Sequence, residues 1–122
     1  MKLTNEQIYQ KANELVTTFD KFELYLPARA NFNIQKNIEI LTAAAQEIEK
    51  TRLEVAKHYG EPSEDNDSYL IPTDKIEDAN KELVDLFAIE QDLNIRTFSV
   101  EALGETQLTA AQMRAIMFML ED

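Results

Sequence analysis

His58 is the only histidine, and the chain has no cysteine. Hydrolytic triads and zinc sites set a histidine beside a nucleophile or further ligands, and no such partners accompany this one. His58 follows Glu54 by four residues near the end of a predicted helix, where a cation suits the helix dipole. That spacing describes a surface residue rather than a general base. Asp65 and Asp67, with Glu61 and Glu64 nearby, have the chemistry to hold a hard cation such as calcium. The run lacks the sixth-position glycine and twelfth-position glutamate of a calcium loop, so a solvated acidic loop is the plainer reading. Carboxylate pairs such as Glu47 with Glu54, or Asp78 with Glu82, do acid–base work only where burial separates their pKa values. Nothing in the sequence predicts that burial, and no glycine-rich phosphate loop exists. The expectation is a protein without catalytic residues, metal or cofactor.

Residue types suited to contact are better represented. Arg29, Asn31, Asn33, Gln35, Lys36 and Asn37 crowd the entry of one helix. Asparagine is a poor helix former, so such a cluster marks a loose start or a surface that bonds another chain. Asp78, Glu82 and Asp85 make an acidic stripe with carboxylates about 5–6 Å apart, near the spacing of phosphates along a strand. Arg52 interrupts an otherwise apolar seam. It either specifies a partner and register or marks where the seam turns outward. Met113, Met117 and Met119 with Phe118 form either an adaptable docking face or ordinary core. The predicted contact residues are therefore Arg29, Asn33, Lys36, Asn37, Arg52, Asp78, Glu82 and Asp85.

Composition sets the frame for these residues. A length of 122 residues suits one domain spanning residues 1–122 with a modest core. Hydrophobic residues make up 44% and charged residues 29%, which separates the chain from disordered and membrane classes. No apolar run approaches the ~20 residues of a membrane span, and MKLTNEQIYQ lacks a signal-peptide core. The missing cysteines permit a reducing cytoplasm. Net charge is −11, which argues against general binding of nucleic acid. Such acidity serves solubility, a basic partner, or imitation of nucleic acid.

The elements follow from periodicity and punctuation. Thr4 and Gln7 form a capping box, predicting a helix from Asn5 to Thr18 with Ile8, Ala12, Leu15, Val16 and Phe19 on one face. Phe22, Leu24 and Leu26 alternate as in an extended piece. A long helix then runs from Pro27 to Tyr59. Ile34, Ile38, Leu41, Ala45, Ile48, Arg52, Val55 and Tyr59 recur in steps of four and three, the spacing of a seam that faces a partner helix. At ~1.5 Å per residue this rod spans roughly 50 Å, so its far end must project or be covered by another helix or another copy. Gly60 suits a left-handed cap. Asp74 with Glu77 predicts a third helix reaching about Gln91 and folding back on the long one. Leu93 to Val100 is rich in strand formers, with Phe22–Leu26 or Tyr69–Ile71 as its expected partners. Thr109 and Gln112 form a second capping box, with Leu108 and Met113 as a hydrophobic staple. They start a last helix running from Ala110 to about Leu120.

The predicted architecture is mainly α with minor β. A long helical hairpin carries additional N- and C-terminal helices and a small two- or three-stranded sheet. The expected core is Ile8, Leu15, Phe19, Leu24, Leu26, Ile34, Ile38, Leu41, Ile48, Leu83, Leu86, Phe98, Ile116 and Leu120.

Five stretches also carry a resemblance that spans nearly the whole chain: YLPARANFNIQKN (25–37), HYG (58–60), YLIP (69–72), NIRTFSVEAL (94–103) and LTAAQMRAIMFMLED (108–122). Together they resemble a family of small proteins of unknown function encoded by tailed bacteriophages and prophages. The resemblance implies a protein acting in the bacterial host cytoplasm or carried in a virion, and brings no activity or cofactor with it. The expected function is a non-enzymatic protein-interaction module, a virion structural or assembly component, able to form a homo-oligomer. The alternative is an acidic inhibitor or nucleic-acid mimic aimed at a host or defence protein.

Overall fold

The computed structural model describes residues 1–19, 25–62 and 68–121. The chain is mainly helical, with three two-stranded sheets among the described residues in place of a single small one. In order, the elements are β1 (Lys2–Thr4), α1 (Asn5–Phe19), α2 (Ala28–Tyr59), β2 (Glu61–Pro62), β3 (Tyr69–Leu70), α3 (Ile76–Ala88), β4 (Glu90–Asp92), β5 (Phe98–Ser99), α4 (Ala110–Ile116) and β6 (Leu120–Glu121). Short 3-10 turns precede α3, follow β5 and follow α4.

α2 is one uninterrupted helix of 32 residues. It begins directly after Pro27, which lacks the N–H that a helix start would leave unbonded. Ile34, Leu41 and Ile48 of its seam are buried, and Ala30, Ala44 and Asn37 extend the buried face. Beyond Ile48 no residue of α2 is buried.

Two lengths of chain cover this spine. α1 lies antiparallel to it, with Tyr9 reaching Glu49 and Val16 beside Thr42. α4 also packs on α1, where the Gln112 amide donates to the Thr18 carbonyl and the Lys11 ammonium sits 4.5 Å from the centre of the Phe118 ring. Residues 76–96 retrace α2 backwards, from Tyr59 beside Glu82 to Asn37 beside Arg96. Asn5, buried at the start of α1, ties these layers together. Its amide donates to the Leu86 carbonyl at 2.8 Å in the last turn of α3 and accepts from Gln91 at 2.7 Å.

Both capping boxes form. Thr4 and Gln7 exchange hydrogen bonds of 2.9 and 3.2 Å, and Thr109 and Gln112 exchange two of 3.0 Å. Other predicted boundaries shift. Gly60 is extended (φ −121°, ψ −178°) rather than left-handed. Glycine is needed there because a Cβ would lie 2.8 Å from the Leu70 carbonyl oxygen. The positive φ belongs to Gly104, at 63°. α3 starts without a side-chain cap from Asp74 and stops at Ala88 rather than Gln91, because Glu90–Asp92 pair with Lys2–Thr4. α4 stops at Ile116, and a 3-10 turn drives Met119 into the core before Leu120 pairs with Phe98 in parallel.

The predicted strand from Leu93 to Val100 shrinks to Phe98–Ser99, which pairs with Leu120–Glu121 rather than with Tyr69–Ile71. Tyr69–Leu70 pair with Glu61–Pro62 instead. The proposed extended piece at Phe22 and Leu24, with Leu24 as core, lies outside the described residues, and Tyr25 and Leu26 belong to no strand. Ten predicted core residues are buried: Ile8, Leu15, Phe19, Leu26, Ile34, Leu41, Ile48, Leu86, Phe98 and Ile116. Ile38, Leu83 and Leu120 are half-buried. Of the methionine stripe, Met119 is core, Met117 is exposed and Met113 is half-buried.

Asn37 explains the lost strand. It is fully buried, donates to the Arg96 carbonyl at 2.9 Å and accepts from the Arg96 N–H at 2.8 Å. One amide side chain thus satisfies the backbone groups that a neighbouring strand would have taken. Asn37→Leu strands both groups in an apolar site and should cost about 2–4 kcal/mol in urea unfolding. Gln35→Leu, on the exposed side of the same helix, should stay within about 0.5 kcal/mol.

Candidate interaction surface

α3 buries only Ala79 and Leu86. Its remaining apolar residues spread around the helix, with Val84 68% exposed and Ile76 43% exposed. Leu83, Val84, Phe87 and Ala88 face α1 across a groove of about 870 Å³, closed on the far side by Thr4, Glu6, Tyr9 and Gln10. The Tyr9 and Phe87 rings meet edge to face at 5.9 Å, which sets the groove floor. The groove contains no histidine, lysine or carboxylate pair, and Glu6 is the one charged residue among those that line it. It can bury apolar side chains and bond a backbone at its ends through Thr4, Gln10 and Asn80.

Tyr9 divides this groove from a smaller one of about 270 Å³ between α1 and α2, lined by Ala12, Val16, Thr42 and Ala45. The Thr42 hydroxyl is buried there and has no hydrogen-bond partner among the described residues. Tyr9 is held in place by a polar bracket. Its hydroxyl donates to Glu49 at 2.8 Å, and the Arg52 guanidinium donates to both Glu49 oxygens. The Arg52 bond pulls the Glu49 carboxyl below its ordinary range, and Glu49 in turn raises the Tyr9 hydroxyl above its own.

The predicted contact residues scatter. Arg52 is partly exposed and pairs with Glu49 within its own helix. Asn37 is corrected, because it is fully buried and bonded to the Arg96 backbone inside the chain, and Asn33 is buried with its Oδ1 bonded to the Arg96 side chain. Lys36 lies 3.7 Å from Glu39 and 5.9 Å from the Phe32 ring centre. Arg29 is exposed at the start of α2. Asp78, Glu82 and Asp85 are all exposed on α3, and the Glu82 carboxylate beside Tyr59 raises that phenol's pKa. The structure therefore does not bring the α2 entry and the α3 stripe into one site.

His58 is exposed, with its ring edge-on to Tyr59 at 4.7 Å, and forms no ion pair with Glu54. Glu64, Asp65 and Asp67 lie outside the described residues. Among the described residues no three histidine or acidic side chains gather as metal ligands, and no helix is long and apolar enough to cross a membrane.

The groove residues Tyr9, Val84 and Phe87 were not singled out from sequence as contacts. Their signal was present in α3, where Ile76, Ala79, Leu83, Val84, Leu86 and Phe87 exceed what one buried stripe accommodates.

No protein-family model, curated protein or solved structure matches the chain. The resemblance to phage proteins therefore stands on its sequence patterns alone.

The bracket has a pH signature. The folded pKa of Glu49 lies below its unfolded value, so its stabilising effect is complete above that unfolded value, near 4.5, and is lost as pH falls through the folded one. The pair is partly exposed, which keeps the effect small. Thermal melts from neutral to acid pH should show a shallower acid limb in Glu49→Gln than in the parent chain.

Proposed function

We propose that this chain is a non-enzymatic protein-interaction module that receives a partner's apolar side chains in the groove between α1 and α3. The observation that carries the reading is the apolar excess of α3. Val84 is 68% exposed there, and the half-buried Leu83 and Phe87 beside it leave part of their apolar surface open to the groove. Monomers seldom keep contiguous apolar surface without a use for it. Following the phage resemblance, the partner belongs to a virion or to its assembly, and the protein acts in the host cytoplasm or in the particle. A second copy of the chain is one such partner.

A second reading draws on the exposed carboxylates of Asp78, Glu82 and Asp85, which suit an acidic inhibitor that occupies a basic surface. Salt separates the two. An acidic mimic loses affinity steeply as salt rises, whereas an apolar groove changes little.

A photo-cross-linking residue at Val84 should give one discrete adduct in infected cells, and the same residue at exposed Lys50 of α2 should give none. Val84→Glu should weaken capture at least about tenfold while leaving stability within about 0.5 kcal/mol. A monomer without any adduct at position 84 would contradict the proposal.

A further inference from the structure

A second cleft, of about 790 Å³, opens where the start of α2 meets the segment around Arg96 and Ser99. It shares no lining residue with the α1–α3 groove. We infer that this cleft is a binding site for a singly charged carboxylate, held by Arg29, Arg96 and Asn33.

The inference rests on hydrogen-bond donors that line one cleft and have no acceptor of their own among the described residues. The Arg96 Nε–H donates to the Asn33 Oδ1 at 2.6 Å, and its guanidinium lies 5.4 Å from the Phe32 ring centre. These contacts fix the plane of the guanidinium while leaving its terminal N–H groups uncommitted. Asn33 is only 7% exposed. Because its oxygen accepts from Arg96, its Nδ2 is the donor end, and that nitrogen has no acceptor among the described residues. Neither Arg29 nor Arg96 has a carboxylate within 4.0 Å among the described residues. That is unexpected in a chain with 23 acidic and 12 basic residues. The Ser99 Oγ accepts the Glu101 N–H and donates to no acceptor among the described residues.

The start of α2 adds a further contribution. It carries no side-chain cap and no acidic residue in its first turn. Arg29 occupies that turn, where a cation opposes the helix dipole. A bound anion beside Arg29 would offset that conflict.

Two carboxylates at the rim select the anion. Glu101 and Glu121 also line the cleft, and Glu121 accepts from the Thr97 hydroxyl. Their charge opposes a doubly charged phosphate but tolerates one negative charge facing two arginines. A planar carboxylate also matches the forked donors of Arg96. The cleft has room for more than a bare ion, so the carboxylate is carried by a small organic acid or by a peptide.

The test is a titration of the whole protein, read by NMR at the Arg96 Nε–H and Asn33 Nδ2 signals. The probes are acetate, inorganic phosphate, N-acetyl-dialanine and the C-terminal amide of that dipeptide. Saturable shifts are expected at ~10 mM acid, absent with the amide and weaker with phosphate. Affinity for the dipeptide at least about tenfold above acetate points to a peptide as the source, and equal affinity to a small acid. Arg29→Gln, at an exposed position, should lose the shifts while remaining folded. Arg96→Lys should lose them too, because it keeps the charge and not the fork. Unsaturable shifts, a preference for phosphate, or binding unchanged in Arg29→Gln would overturn the inference.

Discussion

Everything in this fold answers to the length of α2. A helix of 32 residues extends roughly 48 Å, more than a chain of this size can enclose. The available cover is spent where the seam is most apolar. α1 shields the middle, and residues 76–96 return along the rest. Leu41 and Ile48 are sealed, and beyond Ile48 the helix is only partly covered. The bracket of Tyr9, Glu49 and Arg52 lies at that boundary. It closes the edge of the core with groups that tolerate water.

The same constraint shapes the two open surfaces. α3 runs beside both α1 and α2, yet only Ala79 and Leu86 of it are buried. Leu86 joins the core and Leu83 and Phe87 pack against it, while Val84 stands exposed at the groove. At the opposite end, the returning chain meets α2 through an asparagine instead of a strand. Asn37 captures the backbone of residue 96, and Asn33 captures its side chain. Two amides one helical turn apart therefore hold Arg96 at the mouth of a cleft.

Local signals in the sequence translated well. Both capping boxes, the start at Pro27, the length of α2 and most of its seam depend on residues within a few positions of one another. Pairings between distant segments did not. Strands of two or three residues carry no readable period, and their partners are set by the route of the chain around α2. Gly60 was legible as a special position, but its reason, a close carbonyl from β3, was not. The asparagines were the instructive error. Asn37 lies three residues after Ile34 and four before Leu41, so the seam itself placed it inward. Polarity suggested the surface, and a buried amide with backbone partners was the better reading.

The direct measurement is amide hydrogen exchange along residues 28–59. A spine anchored at its seam and at Asn37 predicts slow exchange over residues 30–48. Exchange should be faster by at least about a hundredfold over residues 50–59, where burial ends. Uniform protection along the whole helix, or fast exchange centred on residues 34–41, would contradict it.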